Sequence, residues 1–142
     1  MSEEKTLVDT TEIDTRWGDQ DKYGHINNTV YFRFVEEARV QWFEKLGYGV
    51  DGSGDGPIIL KTGATFLKEL NYPTRIQVKS YAGTPGNSSL PMYHEIIDSE
   101  DGSVYCTAYV TVVWYDHSSK SSMRLPDSLR EHIAQLDKNP SV

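Results

Sequence analysis

The sequence predicts an α+β fold, in which an antiparallel sheet of about five strands packs with one long helix and a short C-terminal helix. Three observations support this prediction. One stretch of the chain has apolar residues at three- and four-residue steps, the period of a helix. Segments on both sides of it alternate with period two, the period of a strand. The later strand-like segments are separated by short turns, which join antiparallel strands.

The first strand and the long helix follow from the spacing of apolar residues. Thr6 to Trp17 is predicted as a strand that ends at Gly18. Its period of two is seen in Ile13, Thr15 and Trp17, which alternate with Glu12, Asp14 and Arg16. Asn28 is the predicted helix cap, and Gly47 is the predicted stop. The helical stripe is formed by Val30, Tyr31, Phe34, Val35, Ala38, Trp42 and Leu46.

Strands dominate the second half of the chain. The glycine-rich connection from Gly47 to Pro57 has no periodicity, so we expect it to be mobile. The β-rich runs after it are Ile58 to Leu67, Arg75 to Ala82, Leu90 to Asp98 and Ser103 to Tyr115. The last run is the longest and is predicted as a central strand. A short helix is expected to open at Pro126 and Asp127 and to reach about Leu136.

Composition limits the classes of protein that fit. A chain of 142 residues is predicted to form a single domain spanning residues 1–142, with frayed ends at 1–5 and 137–142. The formal charge of −7 argues against a nucleic-acid partner. The apolar runs are too short for membrane insertion, and no secretory signal is recognisable. The single cysteine, Cys106, favours a reducing compartment, so we expect a cytoplasmic protein.

The predicted architecture needs a partner. One sheet with one long helix buries a single face and leaves strand edges unpaired. We therefore expect self-association as a homodimer, or as a dimer of dimers in a homotetramer.

The densest cluster of chemically active side chains is the segment 17–28, WGDQDKYGHINN, between the first strand and the long helix. A carboxylate and an imidazole four residues apart, Asp21 and His25, precede a helix whose N-terminal amides point outward. The carboxylate could activate water and the amides could receive an oxyanion, which would make an acyl-transfer site. The alternative interpretation is that Asp, Asn and Gly are ordinary turn and cap residues here.

Other chemistries fit the sequence less well. Asp19, Asp21 and Gly24 match positions one, three and six of an EF-hand loop. Tyr23 stands at position five, however, and Val30 stands where the bidentate Glu belongs. No further His or carboxylate follows at ligand spacing, so no metal is expected. The glycines of the segment 47–52 match a dinucleotide-binding pattern, but they follow a helix instead of a strand. Core or surface roles are expected for the remaining candidates, Cys106, His94, His117 and His132.

The segment 16–39, RWGDQDKYGHINNTVYFRFVEEAR, closely resembles the signature of hot-dog thioesterases of the 4-hydroxybenzoyl-CoA and acyl-CoA thioesterase type. The resemblance extends to ATFLKELNYPTRIQVKSYAG, similar to the family's hairpin, and to MRLPDSLREHI, similar to its terminal helix. It implies an antiparallel sheet wrapped around the long helix, and dimers with active sites at the subunit interface.

The resemblance also implies roles for single residues. Asp21 matches the family's catalytic Asp, acting as general base or as nucleophile on the thioester carbonyl. Asp19 is expected to support the loop. His25 and Asn27 match positions that shape the site. The other residues that support the loop or the helix start are Tyr23, Gly24 and Asn28.

Two departures leave alternatives open. Related plant acyl-carrier-protein thioesterases have Asn two residues after the catalytic Asp, where this chain has Tyr23. Other hot-dog thioesterases use a carboxylate on the helix, a role for which Glu36 or Glu37 would be available, although both are expected on the solvated face. The H-F-P-G-type signature of hot-dog dehydratases is absent.

The expected function is hydrolysis of an acyl-CoA thioester to the free acid and CoA, with no cofactor beyond the CoA of the substrate. A local excess of basic residues, Lys61, Lys68, Arg75 and Lys79, could dock the CoA phosphates. A non-catalytic module that binds acyl thioesters or lipids, and a thioesterase for acyl carrier protein, are the alternatives.

Overall fold

The computed structural model describes residues 4–49 and 53–138. Its elements follow the predicted order of one strand, one long helix, further strands and a short final helix. They are β1 (Thr6–Asp14), a 3₁₀ turn (Trp17–Asp19), α1 (Asn28–Lys45), β2 (Asp55–Phe66), β3 (Arg75–Ala82), β4 (Ser89–Asp98), β5 (Val104–Asp116), β6 (Ser121–Ser122) and α2 (Asp127–Lys138).

All strands belong to one antiparallel sheet in the order β1-β3-β4-β5-β2, with the two-residue β6 added beside β5. The predicted α+β class is confirmed. Strands β1 and β2, which are joined in sequence through α1, lie at opposite edges of the sheet. The predicted central position of the longest strand is also confirmed, since β5 pairs with both β4 and β2.

Helix α1 packs its apolar stripe against one face of the sheet. The side chain that caps it is Asn27, one residue before the predicted Asn28: its Oδ1 accepts from the Thr29 amide at 3.0 Å. Asn28 is the first helical residue. Gly47 ends the helix region with φ +88, a conformation that glycine adopts without strain. The buried residues of α1 are Tyr31, Phe34, Val35, Ala38, Trp42 and Phe43.

The end of β1 differs from the prediction. The strand stops at Asp14 and does not reach Trp17. Thr15 leaves the ladder by exchanging hydrogen bonds with Thr74, and the Arg16 amide then donates to the Asp19 carboxylate at 2.8 Å. These contacts turn the chain, so Trp17 lies 75% exposed.

Other predicted boundaries shift by a few residues. Strand β2 already begins at Asp55, so the connection predicted from Gly47 to Pro57 is shorter, and its residues 50–52 lie outside the described part. Helix α2 continues to Lys138, beyond Leu136. Residues 1–3 and 139–142 of the predicted frayed ends also lie outside the described part.

Among residues 4–49 and 53–138, no helix combines the length and apolarity that crossing a membrane requires.

A buried polar pair lies between the sheet and α1. His94 and Ser80 are almost fully buried on neighbouring strands, and Ser80 Oγ lies 2.9 Å from His94 Nδ1. His94 Nε2 has no hydrogen-bond partner in the described chain. Burial, together with the positive charge of Arg39, lowers the pKa of His94 to about 3. The imidazole is therefore neutral in the folded protein at neutral pH.

This pair predicts a specific loss of stability in acid. A histidine in the unfolded chain binds its proton near pH 6.5, whereas folded His94 does so only near pH 3, so the unfolded state binds more protons between these values. Stability should fall as the pH falls through this window, by up to about 1.4 kcal/mol per pH unit from this group. Urea unfolding at several pH values measures how the free energy of unfolding changes with pH. This pH dependence should be smaller in His94→Asn and unchanged in His117→Asn. If the pH dependence of stability were unchanged in His94→Asn, His94 would not be the cause of the loss in acid.

Candidate functional site

The loop between the 3₁₀ turn and α1 is a miniature hairpin. Gln20 and Ile26 form an antiparallel bridge, and the Asp21 amide donates to the His25 carbonyl oxygen at 2.8 Å. The Gly24 amide donates to the Asp21 carbonyl oxygen, and Gly24 has a φ of +80, which a glycine adopts without strain. The chain reverses between Asp21 and His25, so these two residues lie side by side at the base of the loop.

Asp19 connects the loop to the residues before it and to the start of α1. Its side chain is 4% exposed and accepts hydrogen bonds from the Arg16 amide and from Arg16 Nη2, the latter at 3.0 Å. The hydrogen bond to this carboxylate raises the pKa of Arg16. The Asn27 amide donates to the Asp19 carbonyl oxygen at 3.1 Å, which connects the loop to the start of α1. The contacts of Asp19 are therefore structural ones.

The Asp21 carboxylate is held by one of its two oxygens. Oδ1 accepts from the Tyr23 amide at 2.9 Å and from the His25 amide at 3.4 Å. Within the described residues, Oδ2 has no hydrogen-bond partner. The side chain is half-buried, and the Tyr23 ring beside it is exposed. One oxygen therefore fixes the orientation of the group, and the other can receive a proton.

A cavity of about 490 Å³ lies between this loop, the start of α1 and the end of β2. His25 and Asn28 border it from the loop side. Asp21 is not among its lining residues in the single chain, and it adjoins the cavity through its backbone contacts to His25. The lining residues are His25, Ile26, Asn28, Tyr31, Phe66, Leu67, Lys68, Glu69 and Leu70.

The first turn of α1 has an amide without an acceptor, on a residue that lines this cavity. The Thr29 amide donates to the Asn27 side chain, and the Val30 amide donates to the Asn27 carbonyl oxygen at 2.9 Å. The Asn28 amide has no acceptor among the described residues. Amides at a helix N-terminus carry partial positive charge and are donors suited to an oxyanion. Asn27 therefore caps the helix, and the Asn28 amide remains an unused donor on a residue that lines the cavity.

The segment after β2 is fastened to the loop at several points. The Ile26 amide donates to the Leu70 carbonyl oxygen at 3.0 Å, and His25 Nε2 contacts Glu69 Oε1. Burial raises the pKa of Tyr31, and a hydrogen bond with the Leu70 backbone opposes that rise. Tyr31 also packs edge-to-face on Phe66, with ring centroids 5.0 Å apart. The cavity wall is thus one structure assembled from two distant segments.

The four predicted phosphate-docking cations do not form one patch in the single chain. Lys68 borders the cavity, and its Nζ donates to Ser103 Oγ at 3.1 Å. Arg75 is paired with Asp14 across the β1 edge, with a shortest distance of 2.8 Å. Lys61 on β2 and Lys79 on β3 belong to strands separated by β4 and β5.

The two carboxylates of α1 that were alternative candidates, Glu36 and Glu37, do not line this cavity. Glu36 accepts from Arg33 and Glu37 accepts from Gln41, each at 2.9 Å. Both acids line a separate groove of about 480 Å³ beside β1.

In the described ranges, no three His, Cys, Asp or Glu side chains come close enough to hold a metal ion. Cys106 is a buried core residue, and burial raises the pKa of its thiol to about 11.

Sequence reasoning missed Glu69 as a member of the site. In the sequence it stands as an isolated acid within a basic stretch, and no local pattern connects it to His25. Only the pairing of Ile26 with Leu70 brings the two together.

Comparison with known proteins identifies the family of the chain. The model of the thioesterase-like superfamily matches residues 15–133. The PA2801 protein of Pseudomonas aeruginosa, described as a candidate thioesterase, is 43% identical with a TM-score of 0.86, covering 89% of this chain and 98% of that one. A candidate acyl-CoA thioesterase of Xanthomonas campestris is 31% identical with a TM-score of 0.71, covering 76% of this chain and 92% of that one.

The chloroplastic acyl-acyl carrier protein thioesterase ATL3 of Arabidopsis thaliana is 27% identical over 130 residues, which are 88% of this chain and 67% of the plant protein. The family match covers both the loop with Asp21 and His25 and the segment with Glu69. The chain therefore belongs to the thioesterase-like superfamily and is a thioester hydrolase with the hot-dog fold.

Proposed function

We propose that this protein hydrolyses acyl-CoA thioesters to a free acid and CoA, at the cavity where α1 begins. The observation that carries the proposal is the unpaired Asn28 amide at that cavity, next to the loop that holds Asp21 and His25. A thioester carbonyl oxygen bound at this amide would place its carbonyl carbon near the loop. The acyl chain would then extend along Tyr31 and Phe66.

The proposed reaction uses a proton acceptor and an oxyanion donor. Asp21 takes a proton from water through its free oxygen while the water oxygen bonds to the carbonyl carbon. The Asn28 amide stabilises the negative charge that develops on the carbonyl oxygen. The C–S bond then breaks, and its electron pair leaves with sulfur. No metal takes part in this proposal, and Lys68 is the cation best placed for a CoA phosphate.

Acyl carrier protein is the second candidate for the thiol carrier. The likeness to the Arabidopsis acyl-acyl carrier protein thioesterase favours it. Both carriers present the acyl group on a thioester, so the same cavity would serve either one. Parallel assays with an acyl-CoA and with the same acyl group on carrier protein would rank them by kcat/KM.

The activity is tested by thiol release from a panel of aliphatic and aromatic CoA esters. The proposed function predicts release of CoA with turnover. A module that binds thioesters without cleaving them would instead saturate without releasing thiol, and that outcome would overturn the proposal.

We also propose that the protein is a homodimer joined along β2. In the described chain, β2 pairs only with β5, and its other edge is unpaired. Unpaired edges of long strands readily pair with another strand. Exposed apolar side chains lie on β2 or directly after it, namely Ile59, Leu60, Phe66 and Leu67. A partner at this edge would cover them and close the cavity that Phe66 lines.

A charge at this edge should dissociate the dimer. Leu60 is 67% exposed on β2, and Leu60→Asp is expected to weaken dimerisation at least tenfold, about 1.4 kcal/mol, because burial would desolvate the carboxylate. Sedimentation velocity over a concentration series measures the effect. Leu7→Asp, on the opposite edge strand β1, is the matched control and should remain dimeric. A monomeric wild type, or dissociation only in the Leu7 variant, would contradict the β2 interface.

A further inference from the structure

Glu69 and His25 form a carboxylate-imidazole pair at the edge of the cavity. His25 Nε2 contacts Glu69 Oε1, and both residues line the cavity. The two side chains are 51% and 52% exposed, and an ion pair this open to solvent adds little to stability. The pair is therefore better explained by what it does to the imidazole than by what it contributes to folding.

The contact determines which ring nitrogen can act. An ionised carboxylate only accepts hydrogen bonds, so His25 Nε2 must carry the hydrogen that points at Glu69. Nδ1 is then the ring nitrogen left for substrate or water, and it has no partner among the described residues. When the ring is protonated, Nδ1 also carries a hydrogen, and the carboxylate of Glu69 compensates the positive charge.

The backbone holds both members in place. The His25 carbonyl oxygen accepts from the Asp21 amide at 2.8 Å, and the next amide, that of Ile26, donates to Leu70 at 3.0 Å. Leu70 follows Glu69 directly and is fully buried. The loop that bears His25 and the segment that bears Glu69 are thus joined by a backbone hydrogen bond next to both residues. This arrangement provides the orientation that proton transfer to or from a substrate needs.

The position of the pair separates it from the proposed base. Asp21 contacts the His25 amide and is not among the residues that line the cavity in the single chain, whereas His25 is. Thioester hydrolysis needs both a group that takes a proton from water and a source of a proton for the departing thiolate. Two groups at different places relative to the cavity can divide these tasks.

We propose that His25 is the general acid that protonates the departing CoA thiolate, and that Glu69 is the positioning residue that orients it. This inference rests on the proposed thioesterase function. As the C–S bond breaks and its electron pair moves to sulfur, protonated His25 transfers its Nδ1 proton to that sulfur. Asp21 keeps the proton taken from water and returns it to solvent, and His25 regains one. The balance is one thioester and one water giving one thiol, one carboxylate and one released proton.

The test compares two leaving groups on one acyl group. A CoA thiolate leaves poorly without a proton, whereas 4-nitrothiophenolate leaves readily as the anion. For the CoA ester, His25→Gln and Glu69→Ala should lower kcat by about 10² or more, the range of a positioned acid. For the 4-nitrothiophenyl ester, both variants should stay within about threefold of the wild type, because this step needs no proton. KM should change little.

Matched variants separate positioning from structure. Glu69→Gln keeps an oxygen that accepts from Nε2, so it should recover part of the kcat lost in Glu69→Ala. Glu100→Gln, at an exposed turn outside the cavity, should match the wild type on both esters. Thermal unfolding of each variant should remain within a few degrees of the wild type, since the pair is half exposed.

Three outcomes would overturn the inference. His25→Gln could lose equal activity on both esters, which would place the imidazole in a step other than thiolate protonation. Glu69→Ala could retain full activity on the CoA ester, which would remove the positioning role. Glu69→Gln could be as inactive as Glu69→Ala on the CoA ester, which would show that an oxygen accepting from Nε2 does not orient the imidazole. Failure of the wild type to release CoA from any ester would instead contradict the proposed function itself, and is thereby distinguished from these results.

Discussion

Asp21→Asn should lower kcat for an acyl-CoA ester by about 10² to 10⁴, the contribution of a positioned general base. The amide keeps an oxygen that can accept from the Tyr23 and His25 amides, so the loop should keep its conformation. It removes only the oxygen that could receive a proton from water. The loss is therefore expected in kcat, with KM nearly unchanged.

The measurement is steady-state thiol release with purified protein. Asp127→Asn, which replaces an exposed acid at the start of α2, is the control and should retain wild-type kcat. The Asp21 variant should lose activity on the 4-nitrothiophenyl ester as well, because water attack is needed for either leaving group. Full activity of Asp21→Asn would exclude the base role and would direct attention to His25 as the group that activates water.

Trp114→Ala should destabilise the protein by about 3–5 kcal/mol, the cost of deleting a buried indole. Trp114 is fully buried on β5 and packs edge-to-face on Phe43 and Tyr48, with ring centroids 5.8 and 5.2 Å away. Its Nε1 donates to Asp55 Oδ2 at 2.7 Å. The variant would leave a cavity between α1 and the sheet and would remove the hydrogen bond that holds the start of β2.

Urea unfolding measures this loss of free energy. The matched control is Trp17→Ala: the Trp17 side chain is 75% exposed, so the same substitution should change stability by about 0.5 kcal/mol or less. Trp114→Phe keeps much of the apolar volume and should cost less than Trp114→Ala. Equal losses at positions 17 and 114 would mean that the core does not depend on packing around Trp114.

The elements could be predicted because their signals are local. The apolar stripe of α1 recurs within each turn, and the alternation in β3 and β5 recurs every second residue, so neither depends on distant parts of the chain. The end of β1 could not be predicted in this way. The alternation continues to Trp17, but contacts of Thr15 with Thr74, on a different segment, take the chain out of the sheet before it.

Part of the candidate site could also be predicted from local sequence, and part depends on the fold. A short loop with Asp21 and His25 before a helix start is legible in the sequence because turn geometry and capping act over a few residues. The four basic residues looked like one group only because they are close in sequence. In the folded chain, strand order disperses them: Arg75 pairs with Asp14 at the β1 edge, and Lys68 remains at the cavity.

The amino-acid sequence by itself determined the α+β class, the order of the elements and the loop that bears Asp21 and His25, since periodicity and capping are short-range properties of the chain. The tertiary structure decided which groups meet. The contact of Glu69 with His25 and the position of β2 at an open edge arise from pairings between residues far apart in the chain. No local pattern encodes such pairings, because they exist only once the sheet has formed.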